Sequence, residues 1–290
     1  MSGTLKKWLL LIGLSLIWGS SFILIKKRLV GFTPLQLGAL RIVLTSLILF
    51  FFGFKTLKKQ TKTTLKWIAL SGFLGTFFPA FLFAFAETEI DSAIASILNS
   101  LVPLNTVVIG LVVFKMYFSK KQFAGVFVGL LGTIFLIVSG ASINPNQNYF
   151  YALLVLTATF MYGINVNIIK RYLQEVPPIT IAVGNFVFIA IPALLVLVFS
   201  GFFNQVVIQS PSFPSAFMYI FLLSLLGTAL AKILFNNLVQ IATPVFASSV
   251  TYLMPIVAVM WGFLDGEVFS IWQALATVLI LFGVYLANSK

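Results

Sequence analysis

Cysteine and histidine are both absent from this 290-residue chain. Their absence excludes disulfides, thiol chemistry, His-ligated haem and His- or Cys-ligated zinc. Charge is scarce as well: 8% of residues are charged, against about a quarter in a soluble domain. Acids are the rarest charge, 6 against 18 basic residues. A soluble fold with so few charges has nothing to cover its surface with. No phosphate-binding loop is present, so direct coupling to ATP has no seat here. Nothing in the sequence calls for a cofactor.

What the chain has instead is apolar length. Hydrophobic residues make up 60% of it, so lipid is the expected solvent for most of the chain. Length is then read in membrane helices of about 20 residues each, not in soluble domains. Apolar runs cover Trp8–Ile25, Pro34–Phe54, Leu65–Ala86, Ser92–Phe114, Phe123–Ser139, Tyr149–Ile169, Ile179–Phe203, Ser215–Leu238, Pro244–Leu264 and Phe269–Ala287. Each is roughly long enough to cross a core of about 30 Å. The connections are short and polar or turn-like, as at Thr61–Thr64, Asn144–Asn148, Glu175–Pro178 and Gln209–Pro214. The expected fold is an all-α membrane protein of ten transmembrane helices with no soluble domain.

The net charge is +12, which in a soluble chain points to nucleic acid. Here the charges fall mainly at the ends of apolar runs, the distribution of topology signals, so no nucleic-acid partner is expected. Ten spans put both termini on one side. Lys6, Lys7, Lys55, Lys58, Lys59, Lys62, Lys66, Lys115, Lys120, Lys121, Lys170, Arg171 and Lys290 fall on that side. Lys26, Lys27 and Arg28 fall on the other, and Arg41 and Lys232 lie inside runs. The positive-inside rule then places both termini in the cytoplasm. Glu87, Glu89, Asp91, Asp265 and Glu267 cluster on the outer face. No small-residue cleavage site follows the first run, so it reads as the first membrane helix and not as a signal peptide.

The chain also matches itself. At a shift of 152 residues, Leu74-Gly75-Thr76 falls on Leu226-Gly227-Thr228, and Leu82-Phe83 on Leu234-Phe235. Ala95-Ser96 falls on Ala247-Ser248, Leu101 and Pro103 on Leu253 and Pro255, and Gly110 on Gly262. A shift of 144 places Trp18-Gly19 on Tyr162-Gly163 and Lys26 on Lys170. Apolar helices match by chance on Leu and Phe, but not so readily on Gly-Thr and Pro in one register. Two five-helix halves follow, residues 1–140 and 145–290. An odd number of helices per half makes the second half enter the membrane from the opposite side. The predicted fold is thus a 5+5 inverted repeat, a common construction of secondary transporters, with the solute site near the midplane where halves meet.

These residues resemble a known family. Leu16-Ile17-Trp18-Gly19-Ser20-Ser21-Phe22 in the first helix and Pro34…Leu40-Arg41 in the second carry the resemblance. So do Ala93-Ile94-Ala95-Ser96-Ile97-Leu98…Leu101-Val102-Pro103-Leu104 and Ala247-Ser248…Leu253-Met254-Pro255, followed by Gly266-Glu267. The chain resembles the drug/metabolite transporter (DMT) superfamily, specifically its EamA branch. The resemblance covers nearly the whole chain. It implies a polytopic permease of the bacterial inner membrane, often an exporter of amino acids or other metabolites, with a central cavity lined by both halves. Substrate does not carry over, because the branch is broad. The second half keeps the aromatic-Gly pair at Tyr162-Gly163 but loses the serines.

Lys232 is the sharpest candidate for a solute contact. A charge at mid-membrane costs at least about 2.5 kcal/mol and should face a cavity or a partner. It could hold a substrate carboxylate, or simply bond backbone carbonyls. Asn236 lies one turn on, at i+4, and is expected to share its face. Asn99 lies on the face kinked by Pro103, and Trp18, Tyr162, Asn165 and Tyr252 are candidates for an aromatic and polar lining. Helix packing is the commoner explanation for any one of them. Pro103 and Pro255, mid-run at matched positions, are candidate hinges because proline removes a helical hydrogen bond. Arg41 is read as a structural or gating charge that snorkels towards headgroups or helix ends. Glu87, Glu89 and Asp91 read as solvated loop charges rather than as proton carriers. Gly125 and Gly129 fit the small-xxx-small pattern of close packing.

The expected partners are the bilayer and a small-molecule substrate, and the chain is compatible with a monomer or a homodimer. Export of an amino-acid-like or other small organic solute leads, with an importer or exchanger of the same architecture as the alternative. A membrane-embedded enzyme lacks convergent catalytic groups at depth. A channel is disfavoured by the repeat and the paired prolines.

Overall fold

The computed structural model describes residues 3–28, 32–90, 95, 98–139, 148–264 and 271–288. Helix starts are written in capping chemistry. Thr33 accepts from the Gln36 N–H while the Gln36 side chain accepts from the Thr33 N–H, and Pro34 sits where a missing N–H costs nothing. This opens α2, Pro34–Leu57. Thr61 caps α3, Lys62–Ala86, through the Thr64 N–H. The other principal helices are α1 Gly3–Arg28, α4 Val102–Val112, α5 Lys120–Val138, α6 Ala152–Tyr172, α7 Pro178–Phe199, α8 Phe213–Ile241, α9 Val250–Leu264 and α10 Ile271–Asn288. A short turn of helix, Pro244–Ser248, precedes α9.

A helix lies beneath each apolar run. Among the described residues, α2, α3, α6, α7 and α8 are long and apolar enough by themselves to cross a membrane. Shorter apolar stretches lie in α4, α9 and α10. The outward faces are apolar too: Phe51 is 86% exposed, Phe199 85% and Val112 74%. Water would make such a surface aggregate, whereas acyl chains match it.

The helices pair mostly across the middle of the sequence: α5 with α10, α2 with α7, α1 with α9, and α4 with α6. Within α2/α7, Gly53 abuts Val183, the Ser46 hydroxyl meets the Phe186 carbonyl, and Gln36 donates to the Ser200 carbonyl. Later residues of one helix meet earlier residues of the other, so the pair is antiparallel. The α5/α10 pair is antiparallel as well. Gly125 faces Gly283 and Ala287, and Gly132 faces Ile280. A Cβ at Gly283 would strike the Gly129 backbone, so glycine is what lets these helices touch. Gly19 against Val257 repeats the geometry of Gly163 against Asn105.

Two long helices are not regular α-helix throughout. The middle of α3, Phe73–Phe77, and the middle of α8, Leu223–Leu230, are π-helical. These stretches hold the self-matching Leu-Gly-Thr triplets. A π turn carries an extra residue and loosens the i→i−4 ladder.

The fourth run departs from expectation. Ser92–Phe114 reads as one span kinked at Pro103. In the structure a turn at Ser100-Leu101 ends one helical stretch, and α4 begins at Val102 with Pro103 in its first turn. Proline there breaks no bond, because first-turn N–H groups have no helical partner. Pro255 does lie inside α9, but the break falls earlier, at Ser249. The two prolines are therefore not equivalent in backbone.

Candidate functional site

The π segments face a shared space. A cavity of about 260 Å³ lies between them. Gly75 and Thr76 reach it from α3, and Gly227, Thr228, Lys232 and Phe235 from α8. Trp18 of α1, Tyr162 and Asn165 of α6, and Thr251 and Met254 of α9 complete the deep wall. Asn99 and Val102 come from the broken fourth run. Leu37, Arg41, Phe83 and Glu87 extend the lining to the first turns of α2 and the last turn of α3. Among the described residues, α5, α7 and α10 contribute no lining side chain.

Reciprocal hydrogen bonds cross the cavity. The Lys232 ammonium donates to the Gly75 carbonyl at 3.0 Å, and the Trp18 indole N–H donates to the Gly227 carbonyl at 2.9 Å. Each acceptor is a mid-helix carbonyl that regular α-helix would occupy with the N–H four residues on. Four residues after Gly75 stands Pro79, which has no N–H. Four residues after Gly227 stands Ala231, whose N–H goes to the Leu226 and Thr228 carbonyls instead. The sequence uses proline in one case and π geometry in the other to present a glycine carbonyl to a side chain from the opposite half.

The other predicted residues divide. Asn99 is buried in the wall with its Oδ1 unpartnered among the described residues. Asn165 accepts a 2.6 Å bond from the Ser71 hydroxyl, which fixes its amide beside Gly75. Tyr162 lies against Phe83, centroids 6.2 Å apart. Asn236 does not share the cavity face: it is fully buried and donates to the Pro178 carbonyl at 3.3 Å. Asn236 does lie one regular turn after Lys232, but its short amide reaches α7 whereas the longer lysine reaches the cavity. Tyr252 is also outside the cavity. Its ring packs on Gly129 and its hydroxyl donates to the Val126 carbonyl at 2.9 Å, which makes it a tie between α9 and α5.

Two charges read as peripheral prove to be lining. Arg41 faces inward, and its Nε is buried with no hydrogen-bond partner among the described residues. Snorkelling to headgroups would have put it on the lipid face. Glu87, just beyond α3, is half-buried in the same wall and not solvated in a loop. Burial pushes its carboxyl up, and the positive field of Arg41 pulls it partly back. The signal was available: α2 begins at Pro34, so Arg41 sits two turns in, level with the last turn of an antiparallel α3. Asp91 lies outside the described residues.

The opposite end of the bundle is basic and knit together by hydrogen bonds. Lys170 donates to the Gln240 and Ala242 carbonyls at 2.8 and 2.9 Å. The Gln240 amide in turn donates to the Leu173 and Val176 carbonyls, both at 2.7 Å. Trp67 stacks on Tyr172 at 3.9 Å, beside the lysines that flank the α2–α3 turn.

An apolar-skinned helical bundle around a mainly apolar cavity set with a few polar and charged groups is the architecture of a multi-pass membrane transporter. The chain belongs to the EamA-like transporter family, whose pattern matches residues 5–138 and again residues 149–289. It is 26% identical to the inner membrane transporter YedA of Escherichia coli K12, over 97% of this chain and 92% of that one. It is 29% identical to a protein of Salmonella typhimurium named as a probable amino-acid metabolite efflux pump, over 56% of this chain and 52% of that one. A solved crystal structure superposes with a TM-score of 0.75 at 18% identity, covering 97% of this chain and 95% of the other, which speaks to the fold.

Proposed function

We propose that this chain is a secondary transporter of the bacterial inner membrane that exports a small organic solute by alternating access. The moving parts are two five-helix halves, about 1–140 and 145–290, related as an inverted repeat of ten spans. The observation that carries the reading is the cavity itself. It is lined from both halves and tied across by Lys232 on the Gly75 carbonyl and Trp18 on the Gly227 carbonyl. The repeat draws support from several sides. The family pattern matches twice. The helices paired with their own counterparts, α2 with α7 and α5 with α10, run antiparallel, as an axis in the membrane plane requires. The π segments coincide with the self-matching triplets.

The basic end is the cytoplasmic end in this reading, by the positive-inside rule, and both termini lie there. The Arg41–Glu87 end then faces outward. Export fits the relative named as an efflux pump, and a mainly apolar lining with a few hydrogen-bonding and charged groups suits a metabolite with both apolar and hydrogen-bonding parts. Lys232, Asn99, Trp18, Tyr162 and Asn165 are the proposed solute contacts. The breaks before Pro103 and Pro255 are the proposed hinges.

The test compares metabolites in the medium of overexpressing and deletion cells, followed by flux of the enriched solute from liposomes carrying the purified chain. Accumulation in the medium with overexpression, and solute-specific liposome flux, is the expected result. Solute taken up by overexpressing cells and depleted from their medium would make it an importer. Reporter fusions at both ends should register cytoplasm, and a periplasmic carboxyl end would refute ten spans.

A further inference from the structure

Arg41 and Glu87 stand apart from the rest of the site. Both line the cavity at the end where α2 begins and α3 finishes. Their repeat counterparts are Asn185 and Val239, so the charged pair exists in one half only. No ion pair within 4 Å joins them among the described residues, and the buried Arg41 Nε has no hydrogen-bond partner there. A guanidinium facing a cavity with unused donors is built for a planar, two-oxygen acceptor. Beside it the wall turns apolar: Leu37, Phe83 and Val102.

We propose that Arg41 holds the carboxylate of an organic anion with an apolar body, and that Glu87 competes with that carboxylate for Arg41, so each bound anion brings one proton onto Glu87. The inference rests on the transporter reading and names the substrate class of its cavity. In the empty site the Glu87 carboxylate balances Arg41. An entering carboxylate takes that place, and two carboxylates cannot share one half-buried cation without one being neutralised. The proton comes from water and goes to a Glu87 oxygen. No bond to the solute is made or broken. Burial already pushes the Glu87 carboxyl up, and loss of Arg41 to the solute pushes it further the same way. Binding therefore takes up a proton, and affinity rises as pH falls.

The other titratable groups near the pair are few. Tyr162 of α6 shares the wall, Lys232 lies deeper on α8, Tyr219 is on the part of α8 packed beside α2, and Tyr151 packs near Ala86 and Ile90. Glu89 lies exposed on the same turn. The side chains of Lys26, Lys27 and Arg28 at the end of α1, like Asp91, lie outside the described residues.

The experiment titrates the purified full chain with butyrate, hexanoate and benzoate, and with their amides, between about pH 8 and about pH 6. Tryptophan fluorescence and the shift in Tm report binding. The expected wild-type result is preference for carboxylate over amide, with affinity rising by up to about tenfold per pH unit as pH falls. E87Q should bind carboxylates at the tight level at every pH. R41Q should lose the carboxylate preference and keep amide binding, and R41K should lose it only in part. A size-exclusion profile matching wild type establishes that each variant is folded, and E87Q tests the pH slope with Arg41 intact. The proposal is overturned if no carboxylate binds, if the preference survives R41Q, or if the pH slope survives E87Q. Failure of the transporter reading registers differently, as no flux of any solute from liposomes. Flux of neutral or cationic solutes untouched by R41Q sinks the anion proposal alone.

Discussion

The Gly75 and Gly227 sites occupy matched places in the chain and present the same group, a mid-helix carbonyl without its α-helical i+4 donor, to the opposite half. Gly75 loses its i+4 donor to Pro79 and meets an ammonium; Gly227 loses its i+4 donor to a π turn and meets an indole N–H. The backbone device is common and the donor is not. A neutral indole spends its one hydrogen on the carbonyl. An ammonium has three, so Lys232 can hold Gly75 and still offer charge to the cavity. In the proposed alternating access, backbone likeness would serve the exchange between halves, and side-chain difference would serve a solute that has no such symmetry.

This contrast can be broken by substitution. Replacing Lys232 with Met should have the largest effect, lowering liposome flux at least about 100-fold with membrane expression intact, since it removes the charge and a buried charge-assisted bond together. Flux at the wild-type level would end the idea that the ammonium serves the solute. Next, Gly283→Leu should cost about 2–3 kcal/mol of stability by forcing apart α5 and α10, read as a lowered Tm. An unchanged Tm would mean that the helices do not touch as described. Trp18→Phe keeps one aromatic ring but removes the N–H bonded to Gly227 together with part of the packing on Phe235, so flux should fall about three- to tenfold, in line with one neutral hydrogen bond of about 1 kcal/mol and a small packing loss. A loss equal to that of Lys232→Met would erase the distinction between the two sites. Tyr252→Phe should be the mildest. It should cost about 0.6–1.5 kcal/mol of stability and leave flux unchanged, because the hydroxyl serves Val126 and not the cavity.

Reading the sequence went furthest where chemistry is local. Apolar runs located the helices, because lipid leaves a spanning chain little choice but to satisfy its own backbone. Lys232, Asn99, Trp18, Tyr162 and Asn165 were placed in one group by depth and polarity, and the structure brings them to one cavity. Reading by helical period failed at Asn236 because, one regular turn after Lys232, its shorter side chain meets the Pro178 carbonyl of α7 instead of reaching the cavity. Tyr252 misled because a tyrosine at depth needs a partner for its hydroxyl, and a carbonyl of a neighbouring helix serves as well as a solute. Arg41 and Glu87 were assigned to the periphery from their distance to helix ends, which says nothing about which way a side chain faces.

Composition and run length by themselves determined that this is a helical membrane protein, since those properties follow from solvent and covalent order, and the motifs along the chain carried its resemblance to the EamA branch. Which carbonyls are freed, which of two matched prolines starts a helix, and which charges turn inward were decided only by the tertiary structure. Those outcomes depend on what the opposite half places against each turn. A chain read one residue at a time does not contain its own neighbours.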